Sequence, residues 1–247
     1  LPNGNEHFTT GVLVVHGFLA SPAELRNLGD RLAARDYAVM GVRLAGHGTS
    51  PHELQKRPWG DWLASVRRGY EILSAFCENI IIVGFSTGGA LSAILAADRP
   101  EKLAGLVMAS TPLKFRNRNL MFVPLLYGAN KLMGWVPSAQ EMLSFRLNES
   151  EHPDINYRNI PIGGLHNLRQ AVAEMQNRLP DVACPILILQ GDGDQVVDPA
   201  SATLIKRHAT GCSHLDIQVL GSDRHGILNE DIDNAVNLSP AKPFEED

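Results

Sequence analysis

Short apolar runs rich in β-branched residues alternate along the chain with segments of helical periodicity, and this alternation restricts the fold more than any other feature. Runs with the character of buried strands lie at residues 11–15, 37–42, 80–83, 103–109, 185–190 and 215–220. Helical spacing of apolar residues is found at residues 22–32, 59–76, 90–97, 165–179 and 199–209. Because this rhythm is typical of parallel strands joined by right-handed crossovers, the sequence predicts an α/β protein with a mostly parallel central sheet flanked by helices.

Composition excludes several classes of protein. The chain has 247 residues, of which 44% are hydrophobic, and this length suits one large domain or a core that carries one insertion. The net charge is −5, so the chain lacks the excess of basic residues that binding to nucleic acid or to an anionic membrane surface requires. No apolar run approaches the ~20 residues that a transmembrane helix needs. We therefore expect a small-molecule partner, and no feature indicates the oligomeric state.

The three cysteines are few and widely spaced. Cys77, Cys184 and Cys212 form no C-x-x-C pair, so the sequence predicts neither a disulfide framework nor a metal site. This pattern favours a reduced, cytoplasmic setting. The chain begins at Leu1 rather than at Met, which indicates a trimmed or processed sequence.

The alternation breaks between residues 112 and 179. This stretch is rich in Leu, Met and aromatic residues and contains no clear strand. We interpret it as a helical cap packed over a core formed by residues 1–111 and 180–236, and residues 237–247 as a flexible tail. Within the core, Ser21 and Glu24 have the spacing of a capping box, with Pro22 at the first helical position.

One short motif carries the strongest chemical signal. Gly84-x-Ser86-x-Gly88 lies between the most hydrophobic strand-like run and a helix of small residues. A serine in this context sits on a sharp strand-to-helix turn, which raises its hydroxyl above the carboxyl edge of the sheet. The flanking glycines are required because a Cβ atom would crowd the neighbouring strand and helix. The motif indicates a nucleophilic serine rather than an inert glycine-rich turn.

Three further motifs, taken together with the serine run from Gly84 to Gly89, are more specific than any one of them. They are His16-Gly17-Phe18 after an early strand, Gly46-His47-Gly48 and Asp61-Trp62-Leu63. In this combination the chain resembles the α/β-hydrolase superfamily, and within it the bacterial carboxylesterases and monoacylglycerol lipases. The resemblance covers nearly the whole chain. It implies an α/β-hydrolase fold and a catalytic triad in the chain order serine, acid, histidine.

Three aspartates follow the strand that ends at Gln190. The segment Gly191 to Val197 resembles the G-x-x-D-x-x-V pattern of the superfamily, which selects Asp194 as the catalytic acid. Asp192 is better explained as a turn residue. Asp198, which precedes a proline, is better explained as a helix cap.

The base is expected after the last strand. His208 falls within a helix and His214 precedes the strand, whereas His225 follows it in a loop able to reach over the sheet edge. His225 is therefore the predicted general base. By resemblance, the backbone N–H groups of Phe18 and Thr87 form the oxyanion hole, and His16 and His47 brace the loops around it.

The predicted function is hydrolysis of carboxylic esters, either medium-chain acyl esters or monoacylglycerols, with no metal ion and no organic cofactor required. The same triad also serves thioesterases, C–C hydrolases, amidases and perhydrolases, and the fold includes non-catalytic ligand-binding members. Several apolar residues of the cap are expected to line an acyl pocket, namely Phe115, Leu125, Leu126, Met133 and Trp135.

Overall fold

The computed structural model describes residues 8–117, 123, 127, 128, 145–147 and 155–228. A six-stranded, entirely parallel sheet runs through this part of the chain in the order β2-β1-β3-β4-β7-β8. Its strands are β1 (Phe8–Val15), β2 (Ala38–Val42), β3 (Cys77–Phe85), β4 (Leu103–Ala109), β7 (Ile186–Gly191) and β8 (Leu215–Leu220). The two remaining strands, β5 (Phe145–Leu147) and β6 (Asn159–Pro161), form a separate antiparallel pair.

The helices connect the strands and cover the sheet. Those of the described residues are α1 (Arg26–Ala33), α2 (Pro51–Lys56), α3 (Trp59–Ser74), α4 (Thr87–Ala97), α5 (Ile162–Arg178) and α6 (Ala200–His208). Side chains alternate between the two sides of a strand. Accordingly, Leu13 and Val15 of β1 join the main core beneath α3, α4 and α5, whereas Val12 and Val14 join a smaller apolar cluster beside α1.

The path of the chain reverses its direction across the sheet between β1 and β3, which is where open parallel sheets have a crevice at their carboxyl edge. From β1 the chain moves outward to the edge strand β2, and it then returns to pair β3 with the other side of β1. In open parallel sheets, ligands bind where the strand order reverses in this way. The loops after β1 and β3 meet at this point, and they carry Phe18 and Ser86 respectively.

The predicted interruption of the alternation contains a strand pair that sequence periodicity did not show, together with the predicted helix. The prediction of no strand between residues 112 and 179 is wrong, because β5 and β6 pair there through only three residues each. Helix α5, at the end of the same stretch, packs on α4 and contributes Leu168, Ala171 and Met175 to the main core. Strands this short carry too few residues for a period of two to be visible.

No helix in the described ranges combines the length and the apolar character needed to cross a lipid bilayer.

Candidate active site

Ser86 occupies a strained turn between a strand and a helix. It follows Phe85, the last residue of β3, and precedes Thr87, the first residue of α4. Its backbone has φ 51° and ψ −118°, a region that L-residues seldom adopt. The N–H of Ser86 donates to the carbonyl of Ala109 at 2.8 Å, which ties the turn to β4. Ser86 as a whole is 8% exposed.

Close backbone approach explains the glycines around this serine. A Cβ atom on Gly84 would lie 2.5 Å from the carbonyl oxygen of Gly88, and one on Gly88 would collide with the carbonyl oxygen of Val15. A Cβ atom on Gly89 would collide with Oγ1 of Thr111. The helix, β1 and β3 therefore meet too closely for any side chain at these positions, as the motif predicted.

Substituting Gly88 with Ala should destabilise the protein severely. The colliding atom is a backbone oxygen at the carboxyl end of β1, which cannot rotate away, so we expect a loss of stability greater than the ~1–3 kcal/mol typical of overpacking. Urea denaturation measures this loss. Gly60→Ala in α3 is the matched control, because nothing lies within 4 Å of its new Cβ atom. Equal stabilities for the two variants would contradict the close packing at the turn.

Ser86, His225 and Asp194 form a continuous hydrogen-bonded relay. His225 Nδ1 lies 2.9 Å from Asp194 Oδ2, and His225 Nε2 lies 3.0 Å from Ser86 Oγ. An ionised carboxylate can only accept, so Nδ1 carries the proton and donates to Asp194. Nε2 of the neutral ring is then an acceptor for the hydroxyl of Ser86. The three residues selected from the sequence thus meet, although Ser86 and His225 are 139 positions apart.

The carboxylate of Asp194 is fully buried and fully paired. Oδ1 accepts from the N–H groups of Val196 at 2.8 Å and Val197 at 3.0 Å, while Oδ2 accepts from His225 and from Gln190 Nε2 at 3.2 Å. Burial alone raises the pKa of Asp194. The hydrogen bond and charge of His225, together with the two backbone donors, outweigh burial and lower the pKa of Asp194 below its ordinary value.

Neither of the other candidate acids lies in the relay. Asp198 Oδ1 accepts from the N–H of Ala200 at 3.0 Å, so it caps α6 as predicted, and Oδ2 pairs with Lys114 at 2.7 Å. Asp192 Oδ1 accepts from the N–H of Ser222 at 3.0 Å, in keeping with a turn residue.

The competing histidines also have other partners. His208 Nε2 lies 3.1 Å from Gln176 Nε2, and His214 Nε2 lies 2.9 Å from Asp216 Oδ2 on an exposed surface. Their positions leave His225 as the histidine that reaches the serine.

Two side chains that no sequence motif indicated donate hydrogen bonds to the backbone of this relay. The hydroxyl of Ser110 donates to the carbonyl of His225 at 3.0 Å, which anchors the loop that carries the imidazole. Arg116 Nε donates to the carbonyl of Asp194 at 2.6 Å. Ser110 has a φ of 44°, an uncommon value for a serine, and it directly follows β4 beside the nucleophile turn. A left-handed serine cannot be recognised in one sequence, so this signal was hidden.

Glu24 corrects the predicted capping box. Ser21 makes no side-chain capping bond, and the segment Pro22–Leu25 forms a 3-10 turn before α1 begins. Glu24 is buried, and its Oε2 accepts from the N–H of Gly17 at 2.7 Å. The carboxylate therefore braces the His-Gly-Phe turn instead of the helix. Glu24 has this role because its side chain is buried against the turn after β1 and not against the start of α1.

The two residues predicted for the oxyanion hole lie on adjacent loops. The N–H of Gly17 is already used by Glu24, so Phe18 carries the next backbone donor after β1. Thr87 is the first residue of α4, and the first N–H groups of a helix lack intrahelical acceptors. The ring of Phe18 packs against Trp62 and His47, each with ring centroids 5.9 Å apart. This packing holds the turn in place.

His16 and His47 are buried beneath this turn, as structural histidines. His16 Nδ1 donates to the carbonyl of Gly17 at 2.8 Å, and Nε2 accepts from the N–H of Leu44 at 3.2 Å, which requires a neutral ring. Burial lowers the pKa of His16 to about 4, although the bond to Gly17 opposes the shift. Burial, followed by the nearby His16, lowers the pKa of His47 to about 3.

Acid should destabilise the protein through these two histidines. Between pH 6.5 and 4 the unfolded chain takes up protons on both rings while the folded chain does not, so stability falls as the pH falls. For His16 alone the loss reaches roughly 3 kcal/mol at pH 4. Urea denaturation at a series of pH values measures the slope.

His47→Phe tests the assignment of this slope. His47 Nε2 is buried without a hydrogen-bond partner among the described residues, so phenylalanine removes the titration at the cost of one bond, from Nδ1 to the carbonyl of Ala45 at 3.3 Å. This variant should show a flatter dependence of stability on pH than the wild type. His214→Gln, at an exposed site, should keep the wild-type slope. An unchanged slope in His47→Phe would contradict the buried neutral state.

Tyr157, which precedes β6, links two loops at the carboxyl edge of the sheet. The hydroxyl of Tyr157 donates to the carbonyl of Gly46 at 2.9 Å and accepts from the N–H of Thr49 at 2.6 Å. The N–H of Tyr157 donates to the carbonyl of Leu19 at 3.2 Å. Tyr157 thus joins the Gly-His-Gly loop to the turn after β1.

Only one of the predicted acyl-pocket residues lies within the described part of the chain. Phe115 is partly buried, bridges to Val197, and lines a cavity of about 630 Å³ together with Val172 and Arg169. Ser86 does not belong to the described lining of that cavity. The other predicted pocket residues lie outside the described residues, as does the tail 237–247: Leu125, Leu126, Met133 and Trp135.

Within the described ranges, no group of three or more His, Cys, Asp or Glu side chains is arranged to hold a metal ion. The groups that the structure describes at this edge of the sheet are the relay and the adjacent N–H groups. Such an arrangement suits nucleophilic attack by a serine on a carbonyl carbon.

Comparison with known proteins agrees with this geometry. Residues 7–232 match the family described as "Serine aminopeptidase, S33". A thermostable monoacylglycerol lipase of Bacillus sp. (strain H-257) is 30% identical over 81% of this chain and 76% of its own length. A carboxylesterase of Bacillus subtilis (strain 168) is 29% identical over 78% of this chain and 76% of its own length.

A solved structure from work on the metagenome-derived lipolytic enzymes LipS and LipT superposes with a TM-score of 0.79. It is 27% identical, and the match covers 94% of this chain and 91% of that one. The names of these relatives agree with the enzyme class that the motifs predicted, carboxylic ester hydrolase. The family match over most of the chain and the parallel sheet with its serine turn lead to one assignment. The chain belongs to the serine aminopeptidase S33 family and is an α/β hydrolase.

Proposed function

We propose that the protein hydrolyses carboxylic esters through an acyl-enzyme intermediate on Ser86. The observation that carries this proposal is the relay from Asp194 through His225 to a serine held on a strand-to-helix turn, with both connecting distances at hydrogen-bond length. Relatives named monoacylglycerol lipase and carboxylesterase support the ester as the bond that is cleaved. No resident metal ion or organic cofactor takes part in this scheme.

The geometry assigns a step to each member of the relay. His225 Nε2 takes the proton of Ser86 Oγ as that oxygen bonds to the acyl carbon, and then returns the proton to the departing alcohol. Asp194 keeps Nδ1 protonated and stabilises the imidazolium that forms. Water then attacks the acyl-enzyme with His225 again as the base, which releases the acid and restores the serine.

The oxyanion that develops in each step requires preorganised donors. We assign this role to the N–H group of Phe18, in the turn after β1, and to that of Thr87, which directly follows Ser86. The bond from Gly17 to Glu24 fixes the turn that carries Phe18, and Thr87 is fixed as the first residue of α4. The partial positive charge at the N-terminus of α4 favours the same negative charge.

Residues 112–179 are proposed to act as a cap that selects the acyl chain. Support comes from the apolar composition of this stretch and from Gly164 of α5, where an added Cβ atom would lie 2.9 Å from the ring of Phe18. This close approach of α5 to Phe18 supports a cap next to the proposed oxyanion turn. The proposed pocket lining consists of Phe115, Leu125, Leu126, Met133 and Trp135.

The cap should make medium-chain esters better substrates than acetate. Each buried methylene contributes about 0.8 kcal/mol, so burial of even two should raise kcat/KM about tenfold. We expect octanoyl esters of small alcohols, including monoacylglycerols, to exceed acetyl esters by at least this factor. A chain-length series of p-nitrophenyl esters and monoacylglycerols measures the preference.

Matched substrates test the bond that is cleaved. Octanoyl thioester and octanoyl anilide carry the same acyl chain as the octanoyl ester, so a difference between them reports the reacting bond alone. The ester should have the highest kcat/KM. A higher value for the thioester or the anilide would overturn the ester assignment, whereas acetate above octanoate would overturn only the acyl pocket.

A further inference from the structure

Gln190 is a buried polar side chain in an otherwise apolar strand. The preceding residues of β7, Ile186 to Leu189, are all aliphatic, and Gln190 has no exposed surface. Burying an amide costs free energy unless its polar atoms are paired. A leucine at this position would continue the strand at no such cost, so the amide calls for a specific explanation.

The amide is paired at one end only. Nε2 donates to Asp194 Oδ2 at 3.2 Å and to the carbonyl of Gly191 at 3.2 Å. Oε1 is buried and has no hydrogen-bond partner among the described residues. Turning the amide over would place Oε1 against Asp194 Oδ2 and the carbonyl of Gly191, where acceptors would face acceptors. The observed orientation therefore satisfies the carboxylate at the expense of the glutamine's own oxygen.

We propose that Gln190 is a positioning residue for the catalytic acid, holding the plane of the Asp194 carboxylate so that Oδ2 points at His225. This inference rests on the proposed function. Oδ1 is held by two backbone N–H groups, but a carboxylate fixed at one oxygen can still rock about it. Gln190 supplies the second donor at Oδ2, next to the imidazole, and completes four hydrogen bonds to a fully buried anion.

Gln190→Leu separates this role from a purely structural one. Leucine removes the donor to Oδ2, which lowers stability, and also removes the unpaired buried oxygen, which raises it, so the net change in stability should be small. Its kcat should nevertheless fall about 10- to 100-fold, the factor that corresponds to one hydrogen bond to a charged group. KM should stay within about twofold, because Gln190 lies behind Asp194 and not in the crevice.

Ser92→Ala is the matched control. Ser92 lies in α4, and its hydroxyl is also buried without a partner among the described residues. Its removal should leave both kcat and KM unchanged while stability is kept or raised. Gln190→Met, an unbranched apolar substitution, provides a second variant should Leu disturb the strand. The kcat values are expressed per active site that reacts with a fluorophosphonate, so partly folded samples remain comparable.

Two outcomes would overturn the inference. One is a wild-type kcat in both Gln190 variants. The other is a kcat that falls only in a variant whose free energy of unfolding also falls. Labelling of Ser86 by a fluorophosphonate in the wild type distinguishes these two outcomes from a failure of the proposed function. If Ser86 is labelled and esters are hydrolysed, such results remove only the role of Gln190; if Ser86 is not labelled, the proposed function itself fails.

Discussion

Ser86→Ala should abolish covalent labelling by a fluorophosphonate and lower kcat for ester hydrolysis by about a thousandfold or more. The reason is geometric: in the described ranges, Ser86 is the serine whose hydroxyl reaches an imidazole nitrogen, at 3.0 Å, on a turn with φ 51°. Alanine keeps the Cβ atom and removes only Oγ, so the turn itself is preserved. Any residual hydrolysis would come from binding and the oxyanion donors.

Mass spectrometry of the labelled peptide identifies the acylated residue directly. Ser92→Ala should keep wild-type labelling and activity, since the Ser92 hydroxyl, in α4, makes no hydrogen bond to any described residue, the relay included. Thermal denaturation of both variants shows that neither change acts through the fold. A label that persists on another serine in Ser86→Ala would remove Ser86 from the mechanism.

Asp194→Asn should reduce kcat by on the order of 10³–10⁴, with the fold retained. Four donors surround the carboxylate, and an amide presents one acceptor oxygen and one N–H₂ group in its place. Wherever the N–H₂ group points, it meets other donors, so either His225 adopts the wrong tautomer or the loop loses its backbone bonds. We also expect about 1–3 kcal/mol lower stability from the unpaired groups.

Asp198→Asn is the comparison that decides between the two neighbouring acids. Asn keeps the cap on the N–H of Ala200 and loses only the ion pair with Lys114, whose side chain is 57% exposed. Such exposed pairs contribute about 0–1 kcal/mol, so activity should change less than about twofold. Steady-state kinetics on one octanoyl ester measures both variants. If Asp198→Asn were the more damaging of the two, the acid would have been assigned to the wrong residue.

Much of the fold could be predicted from the sequence because it depends on local periodicity. The strands at residues 103–109 and 215–220 were predicted with the bounds that the structure has. The helix predicted at 165–179 begins three residues earlier, at Ile162, and ends at Arg178. Apolar spacing identifies which face of an element is buried, but it does not mark the first and last turns.

The three relay residues could be predicted from their order along the chain and from the strands that precede them. Ser86 has a local signature, because glycines are required where a strand, a turn and a helix meet. Asp194 and His225 have no such signature and were chosen by their place after β7 and β8 and by resemblance. Their side-chain contacts come from the sheet itself, since parallel strands bring their carboxyl ends to one edge.

The partners of the buried polar groups could not be read from the sequence. Glu24 accepts from the N–H of Gly17 instead of forming the predicted capping box, and Gln190 donates to Asp194. His16 is neutral because burial lowers its pKa, and its Nε2 accepts from the N–H of Leu44, 28 positions away. The six strands of the central sheet were predictable because strand formation depends on neighbours along the chain, whereas the three-residue strands β5 and β6 were not. The partner of a buried polar atom depends on segments distant in sequence, and these come together only when the core has formed.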